Sequence, residues 1–136
     1  MKKGFWLEPR SIVAIAVCLL ALAEIVDLTI VAVAIPHIMG ALGCNIQEVS
    51  LVTTSYIVAA AVFIMTTGFV SSRLGGKKTI LLSTLVFGVS SILCGFASSL
   101  NEMVIFRLIQ GIGGAFLPSM AQGYIVGNFD KEEQPK

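Results

Sequence analysis

Three charged side chains stand inside otherwise apolar stretches, and they are where this sequence could do chemistry. Glu24 and Asp27 are three residues apart, so a helix places both carboxylates on one face, about 60° apart. Two carboxylates this close disfavour double ionisation, so one of them is expected to hold a proton near neutral pH. The pair predicts a site that binds and releases protons. The plainer alternative is a pair of acids that a neighbouring helix neutralises, with no further role.

Arg107 is the third charged side chain. An unpaired guanidinium inside an apolar span is costly, and it is expected either to reach out to the membrane boundary or to find a partner. At 1.5 Å per residue, Asp27 lies about 14 Å and Arg107 about 9 Å from the same predicted boundary, a difference that the long arginine side chain can cover. Gln110 shares a helix face with Arg107 and could hydrogen-bond to the same groups. Both interpretations of Arg107 stay open from the sequence.

The composition indicates the class of protein that carries these residues. Of the 136 residues, 56% are hydrophobic and only 12% are charged, and the mean hydropathy is +0.92. A soluble domain of this size needs more charge to cover its surface, and a disordered chain is far less hydrophobic. The formal net charge of +1 gives no field that would attract nucleic acid. The chain is therefore expected to be a membrane protein.

Long runs without charge locate the spans. Runs of 24, 23 and 22 uncharged residues cover 49–72, 79–101 and 108–129, and an apolar stretch over 11–38 holds the two acids. A membrane-spanning helix needs about 20 apolar residues, and only helices satisfy the backbone in such runs. The sequence predicts an all-α membrane protein with four transmembrane helices, at about 12–36, 50–71, 79–98 and 102–125. Short connections are expected at 37–47, 72–78 and 99–101, with tails at 1–11 and 129–136 around a domain of 12–128.

The first helix also has the features of a signal peptide. Basic residues precede the apolar run 12–20, and Ala-Leu-Ala at 21–23 fits a cleavage site. The apolar character resumes after Asp27 and three further spans follow. An uncleaved first helix explains the same residues, and we adopt it.

The basic residues predict the orientation. Eight of the nine lie in the two tails and the 72–78 connection, and the other two connections hold none; the eight are Lys2, Lys3, Arg10, Arg73, Lys77, Lys78, Lys131 and Lys136. By the positive-inside rule, both termini of the chain and the second connection are expected in the cytoplasm.

No motif indicates a metal, a cofactor or an enzyme. The three cysteines, Cys18, Cys44 and Cys94, have no Cys-x-x-Cys or Cys/His ligand spacing. The segment 111–116 does not complete a dinucleotide fingerprint, and a phosphate-binding P-loop is absent from the sequence. We expect no metal, no cofactor and no nucleotide-driven pumping.

Three motifs in the right order resemble the major facilitator superfamily, and within it the fourteen-span drug–proton antiporters of the EmrB/QacA type. The helix-1 pattern of that branch matches at Asp27, Thr29 and Pro36. Its cytoplasmic loop motif between helices 2 and 3 matches at Gly68, Arg73, Gly75 and Lys77. Its helix-4 motif matches at Arg107, Gln110, Gly111, Gly113 and Gly114. The resemblance covers nearly all of residues 11–130.

The resemblance implies the first part of a six-helix N-terminal half, and efflux of drugs or organic solutes by proton antiport at the cell inner membrane. Asp27, Glu24 and Arg107 are then expected to couple protons to transport, although the motif itself does not include Glu24. The expected partners are the lipid bilayer, protons, a small-molecule substrate, and further transporter helices that this chain does not contain. Such a fragment is expected to be inactive alone.

The sequence departs from the family pattern at three positions. Ser72 stands where the loop motif usually has an acid, Gly76 where it usually has a basic residue, and Ala32 where the helix-1 pattern often has Asn. In the family the loop forms a cytoplasmic charge network, which Ser72 would weaken. Two other interpretations stay open: a complete four-span exporter that acts as a dimer, like the small multidrug resistance proteins, and an inert membrane fragment of a truncated gene.

Overall fold

A computed structural model of the chain describes residues 9–129, with side chains over 11–127. All the regular secondary structure in that part is helical, and four of its five helices are long and apolar enough to cross a membrane. The helices are α1 (Pro9–Leu42), α2 (Ile46–Ile64), α3 (Thr67–Leu74), α4 (Gly76–Gly95) and α5 (Leu100–Phe129). The four predicted spans correspond to α1, to α2 with α3, to α4 and to α5. Most of the predicted tails, at 1–11 and 129–136, lies outside the described residues.

The first helix is longer than the sequence indicated. It continues past Pro36 to Leu42 instead of ending near 36, because the proline removes a single backbone hydrogen bond, which membrane helices tolerate. The helix ends at Leu42 and is followed by Gly43, whose φ of +62° favours glycine. The Cys44 amide then donates to the Met39 carbonyl at 3.2 Å and closes the end of the helix.

The predicted second helix, 50–71, is two helices in the structure. α2 begins after Asn45, which forms a reciprocal capping box with Glu48. It ends at Ile64, and the Thr66 amide and hydroxyl both donate to the Phe63 carbonyl, at 3.0 and 2.7 Å. This tight turn divides α2 from α3 where the Thr66 hydroxyl competes for a backbone carbonyl.

The predicted connection at 72–78 is mostly helical. α3 runs to Leu74, and only Gly75, at a φ of +83°, separates it from α4. A residue with a side chain would be strained at this angle, so one glycine is enough to reverse the chain. The two helices therefore stay close at this end of the bundle.

α5 is the central helix of the bundle. It packs against α1, α2 and α4, and 44% of its most apolar stretch is buried, against 11% for α1. Its start is fixed by a capping pair, in which the Glu102 amide donates to the Ser99 hydroxyl and the Glu102 carboxylate accepts from the Ser98 amide. Side chains on α5 can therefore reach all three neighbouring spans.

Candidate functional site

Arg107 on α5 forms an ion pair with Asp27 on α1. The guanidinium Nη1 donates to the Asp27 Oδ2 at 2.6 Å, and the side chains are 4% and 19% exposed. Arg107 therefore does not reach out to the membrane boundary, which was one of the two interpretations of the sequence. Charge-assisted hydrogen bonds are shorter and stronger than neutral ones, so this contact joins α1 firmly to α5.

Glu24 lies one helical turn from Asp27 and has a different partner. The Tyr56 hydroxyl, on α2, donates to the Glu24 Oε1 at 2.9 Å. Both side chains are buried. Glu24 and Asp27 thus share a face of α1, as their spacing indicates, but they contact different helices.

Tyr56 connects the two acids into one cluster. The Arg107 guanidinium carbon lies 5.9 Å from the centre of the Tyr56 ring, on its face, a separation at which a cation–π attraction operates. Glu24, Asp27, Tyr56 and Arg107 form what we call the charge cluster. Sequence reasoning missed Tyr56, although a tyrosine in the middle of an apolar span is a signal, because a buried hydroxyl needs a partner.

Gln110 shares a face of α5 with Arg107 but hydrogen-bonds to a different helix. It is fully buried, and its Oε1 accepts from the Cys94 thiol of α4 at 3.6 Å. The sequence suggested that Gln110 joins the network of Asp27, but the structure gives it no hydrogen bond to that group, and its Nε2 has no partner among the described residues. Gln110 thus links α5 to α4, and Cys94 was not expected at this contact.

The glycines of the helix-4 motif let the neighbouring helices approach α5. A Cβ on Gly111 would lie 2.5 Å from the Tyr56 carbonyl oxygen, and one on Gly113 would lie 2.7 Å from the Phe87 backbone nitrogen of α4. A Cβ on Gly114 would collide with the Tyr56 hydroxyl. Small residues at these three positions therefore set the spacing of α2 and α4 on α5 and leave room for the charge cluster.

The other residues of the helix-1 motif do not contact the charge cluster directly. The Thr29 hydroxyl donates to the Ile25 carbonyl of its own helix at 2.9 Å. Pro36 lies inside α1, nine residues beyond Asp27. Of this motif, Asp27 alone enters the site.

The loop motif between the second and third spans lies at the opposite end of the bundle from Cys44. Gly68 and Arg73 are on α3, Gly75 is the turn, and Lys77 is in the first turn of α4. The Arg73 guanidinium carbon is 5.2 Å from the Phe69 ring centre. These exposed cations form no ion pair with the described residues.

A groove of about 1060 Å³ opens at this same end of the bundle. It lies between the start of α1, α3, the start of α4 and the end of α5, and its lining is mainly apolar; Lys77 and Tyr124 are among the residues that border it. None of the charge cluster lines this groove. Over the described residues, no group of three or more His, Cys, Asp or Glu side chains could hold a metal ion.

The chain is similar to known export proteins. The family profile described as "Major Facilitator Superfamily" matches residues 17–136. The chain is 40% identical over 118 residues to the multidrug export protein EmrB of Escherichia coli K12, and 39% identical over 124 residues to EmrB of Haemophilus influenzae. It is 35% identical over 113 residues to the tetracenomycin C resistance and export protein of Streptomyces glaucescens. These alignments cover 87%, 90% and 83% of this chain, but only 23%, 24% and 20% of the relatives.

Proposed function

Because the chain belongs to the Major Facilitator Superfamily, we propose that it forms part of a transporter that exports drugs or other organic solutes in exchange for protons. The relatives named for multidrug export and drug resistance support this substrate class. The chain spans less than a quarter of their length, so in this proposal it supplies one side of the substrate cavity and further helices complete it. Membership of this superfamily replaces the four-span dimeric exporter as an explanation, and the proposed activity is not enzymatic.

The charge cluster is the observation that carries the proposal. Glu24 and Asp27 lie near the middle of the 34-residue helix α1, with Arg107 of α5 on Asp27. Ionisable side chains at membrane depth are costly and usually serve transport paths or proton relays. Carboxylates at this depth can exchange protons with either side of the membrane when a transporter changes conformation.

The proposed cycle couples two binding events in one cavity. The cluster is open to one side of the membrane at a time, and proton binding competes with substrate binding. Binding of a proton therefore releases the substrate, and binding of the substrate releases the proton. The proton gradient then drives export, and its electrical part contributes about 2.3 kcal/mol for each charge at 100 mV.

We assign both ends of the chain to the cytoplasmic side of the cell inner membrane. Arg73, Lys77 and Lys78 cluster at the α3–α4 turn, and no basic residue occurs between α1 and α2 or between α4 and α5. This asymmetry supports the assignment through the positive-inside rule. The groove beside Lys77 then opens toward the cytoplasm.

The test measures efflux of a fluorescent cationic dye from proteoliposomes that contain a complete transporter with these residues. We expect efflux that follows an imposed pH gradient and stops when a protonophore is added. The double variant Glu24→Gln/Asp27→Asn should lose this gradient-driven efflux. Glu48→Gln is the matched control, because it neutralises an acid at the exposed end of α2. Efflux that ignores the protonophore, or that is equal in the double variant and the control, would contradict proton antiport.

A further inference from the structure

The two acids of α1 have opposite surroundings. Asp27 accepts a short bond from a cation and is partly exposed. Glu24 is only 8% exposed, its Oε1 accepts from a neutral tyrosine, and its Oε2 is buried with no hydrogen-bond partner among the described residues. The single ion pair in the described part of the chain involves Asp27 and not Glu24.

These surroundings suit the two acids to different roles. A buried carboxylate with one oxygen that accepts no hydrogen bond is poorly stabilised as an anion. A neutral carboxyl fits the same contacts, because Oε2 carries the proton while the carbonyl oxygen Oε1 keeps the Tyr56 bond. Asp27 instead lies against Arg107, and without the Asp27 carboxylate this buried guanidinium would have no counter-charge.

We propose that Glu24 binds and releases the exchanged proton, with Tyr56 as its positioning residue, while Asp27 remains a fixed counter-charge to Arg107. This inference rests on the proton antiport proposed above and names the residue that performs it. Proton binding at Oε2 neutralises the carboxylate, and release restores its charge; no other bond changes. The sequence motif contains Asp27 and omits Glu24, so the motif alone points to the other acid.

Tyr56 is held in place from two sides. Its hydroxyl lies against Gly114, where an added Cβ would collide with it and would lie 3.4 Å from the Glu24 Oε1. Its ring lies over the Arg107 guanidinium. A change of charge on Glu24 therefore acts on a side chain that also contacts the fixed ion pair.

The titratable and charged groups around Glu24 are Asp27 on α1, Tyr56 on α2 and Arg107 on α5. On α4, Cys94 contacts Gln110.

Infrared difference spectroscopy of the 136-residue chain in lipid bilayers tests the assignment without any transport. A pH titration of wild type should show the carbonyl stretch of one buried carboxylic acid. The band should be absent in Glu24→Gln. It should persist in the double variant Asp27→Asn/Arg107→Gln, which removes the ion pair and leaves no free cation beside Glu24. A band that survives in Glu24→Gln, or that disappears in the double variant, would overturn the inference.

Tyr56→Phe tests the positioning role. The phenylalanine keeps the ring over Arg107 but removes the donor to Oε1, so the carboxylic band should move to higher wavenumber. Tyr124→Phe is the control, since Tyr124 borders the separate groove, and the band should not move there. If Glu24→Gln fails to fold, this shift decides the assignment, and an unshifted band in Tyr56→Phe would refute it. A band assigned to Glu24 in a transporter without proton-driven efflux would instead refute the proposed function and leave the proton site in place.

Discussion

The Arg107–Asp27 pair should show strong energetic coupling between α5 and α1. Replacing either residue by leucine leaves the other charge without its partner. Removal of one partner of a buried ion pair costs about 3–5 kcal/mol of unfolding free energy. Asp27→Leu leaves the Arg107 charge, whose side chain is 4% exposed, without its partner. Arg107→Leu leaves the Asp27 charge without its partner, but that side chain is 19% exposed and is therefore less completely desolvated. We therefore expect about 5 kcal/mol for Asp27→Leu and about 3 kcal/mol for Arg107→Leu.

The double variant Asp27→Leu/Arg107→Leu should be more stable than Asp27→Leu alone. Apolar side chains of similar volume often replace a buried ion pair with little loss, because no charge has to be desolvated. The assay is an SDS titration of the chain in mild detergent, followed by the helical circular dichroism signal. Arg73→Leu is the matched control, since this exposed arginine forms no ion pair with the described residues and lies over the Phe69 ring, a contact worth about 0.5–1 kcal/mol.

Two results would refute this reasoning. If the costs of the two single variants simply add in the double variant, the residues are not coupled. If Arg107→Leu costs no more than Arg73→Leu, Arg107 is hydrated at the membrane boundary and the ion pair does not stabilise the bundle.

Two further predictions concern packing and orientation. Gly111→Ala should destabilise the chain by about 1–3 kcal/mol in the same titration, because its Cβ would meet the Tyr56 backbone. Gly123→Ala, at a position with open space around it, should be neutral or stabilising by up to about 1 kcal/mol. Equal effects of the two substitutions would contradict the close approach of α2 to α5 at Gly111. Cys44 should react with an impermeant maleimide outside intact cells, while Cys94, which contacts Gln110, should not. Labelling of Cys44 only in inside-out vesicles would reverse the orientation.

The spans could be predicted because hydropathy is a local property of the chain. Each span is a run of apolar residues long enough to cross a bilayer, and in lipid such a run has helix as its stable form. The ends of the helices were less predictable. A proline such as Pro36 can follow the end of a helix or lie within one, and in α1 it lies within the helix. The turn at Thr66 depends on whether its side-chain hydroxyl competes for a backbone carbonyl.

The positions of the site's charges were also readable from the sequence, together with the shared face of Glu24 and Asp27, since helical periodicity fixes which residues of one helix lie together. The motifs further indicated the family. These conclusions need only the order of residues within single elements.

The tertiary structure decided which partner each charge has. Arg107 pairs with Asp27 across 80 residues of sequence, and Tyr56 bonds to Glu24 across 32. Such contacts depend on the depth and rotation of each helix against α5, which the small residues Gly111 and Gly114 set by allowing close approach. Because rotation and depth are properties of the packed bundle and of no single segment, two acids with nearly the same sequence context have different environments.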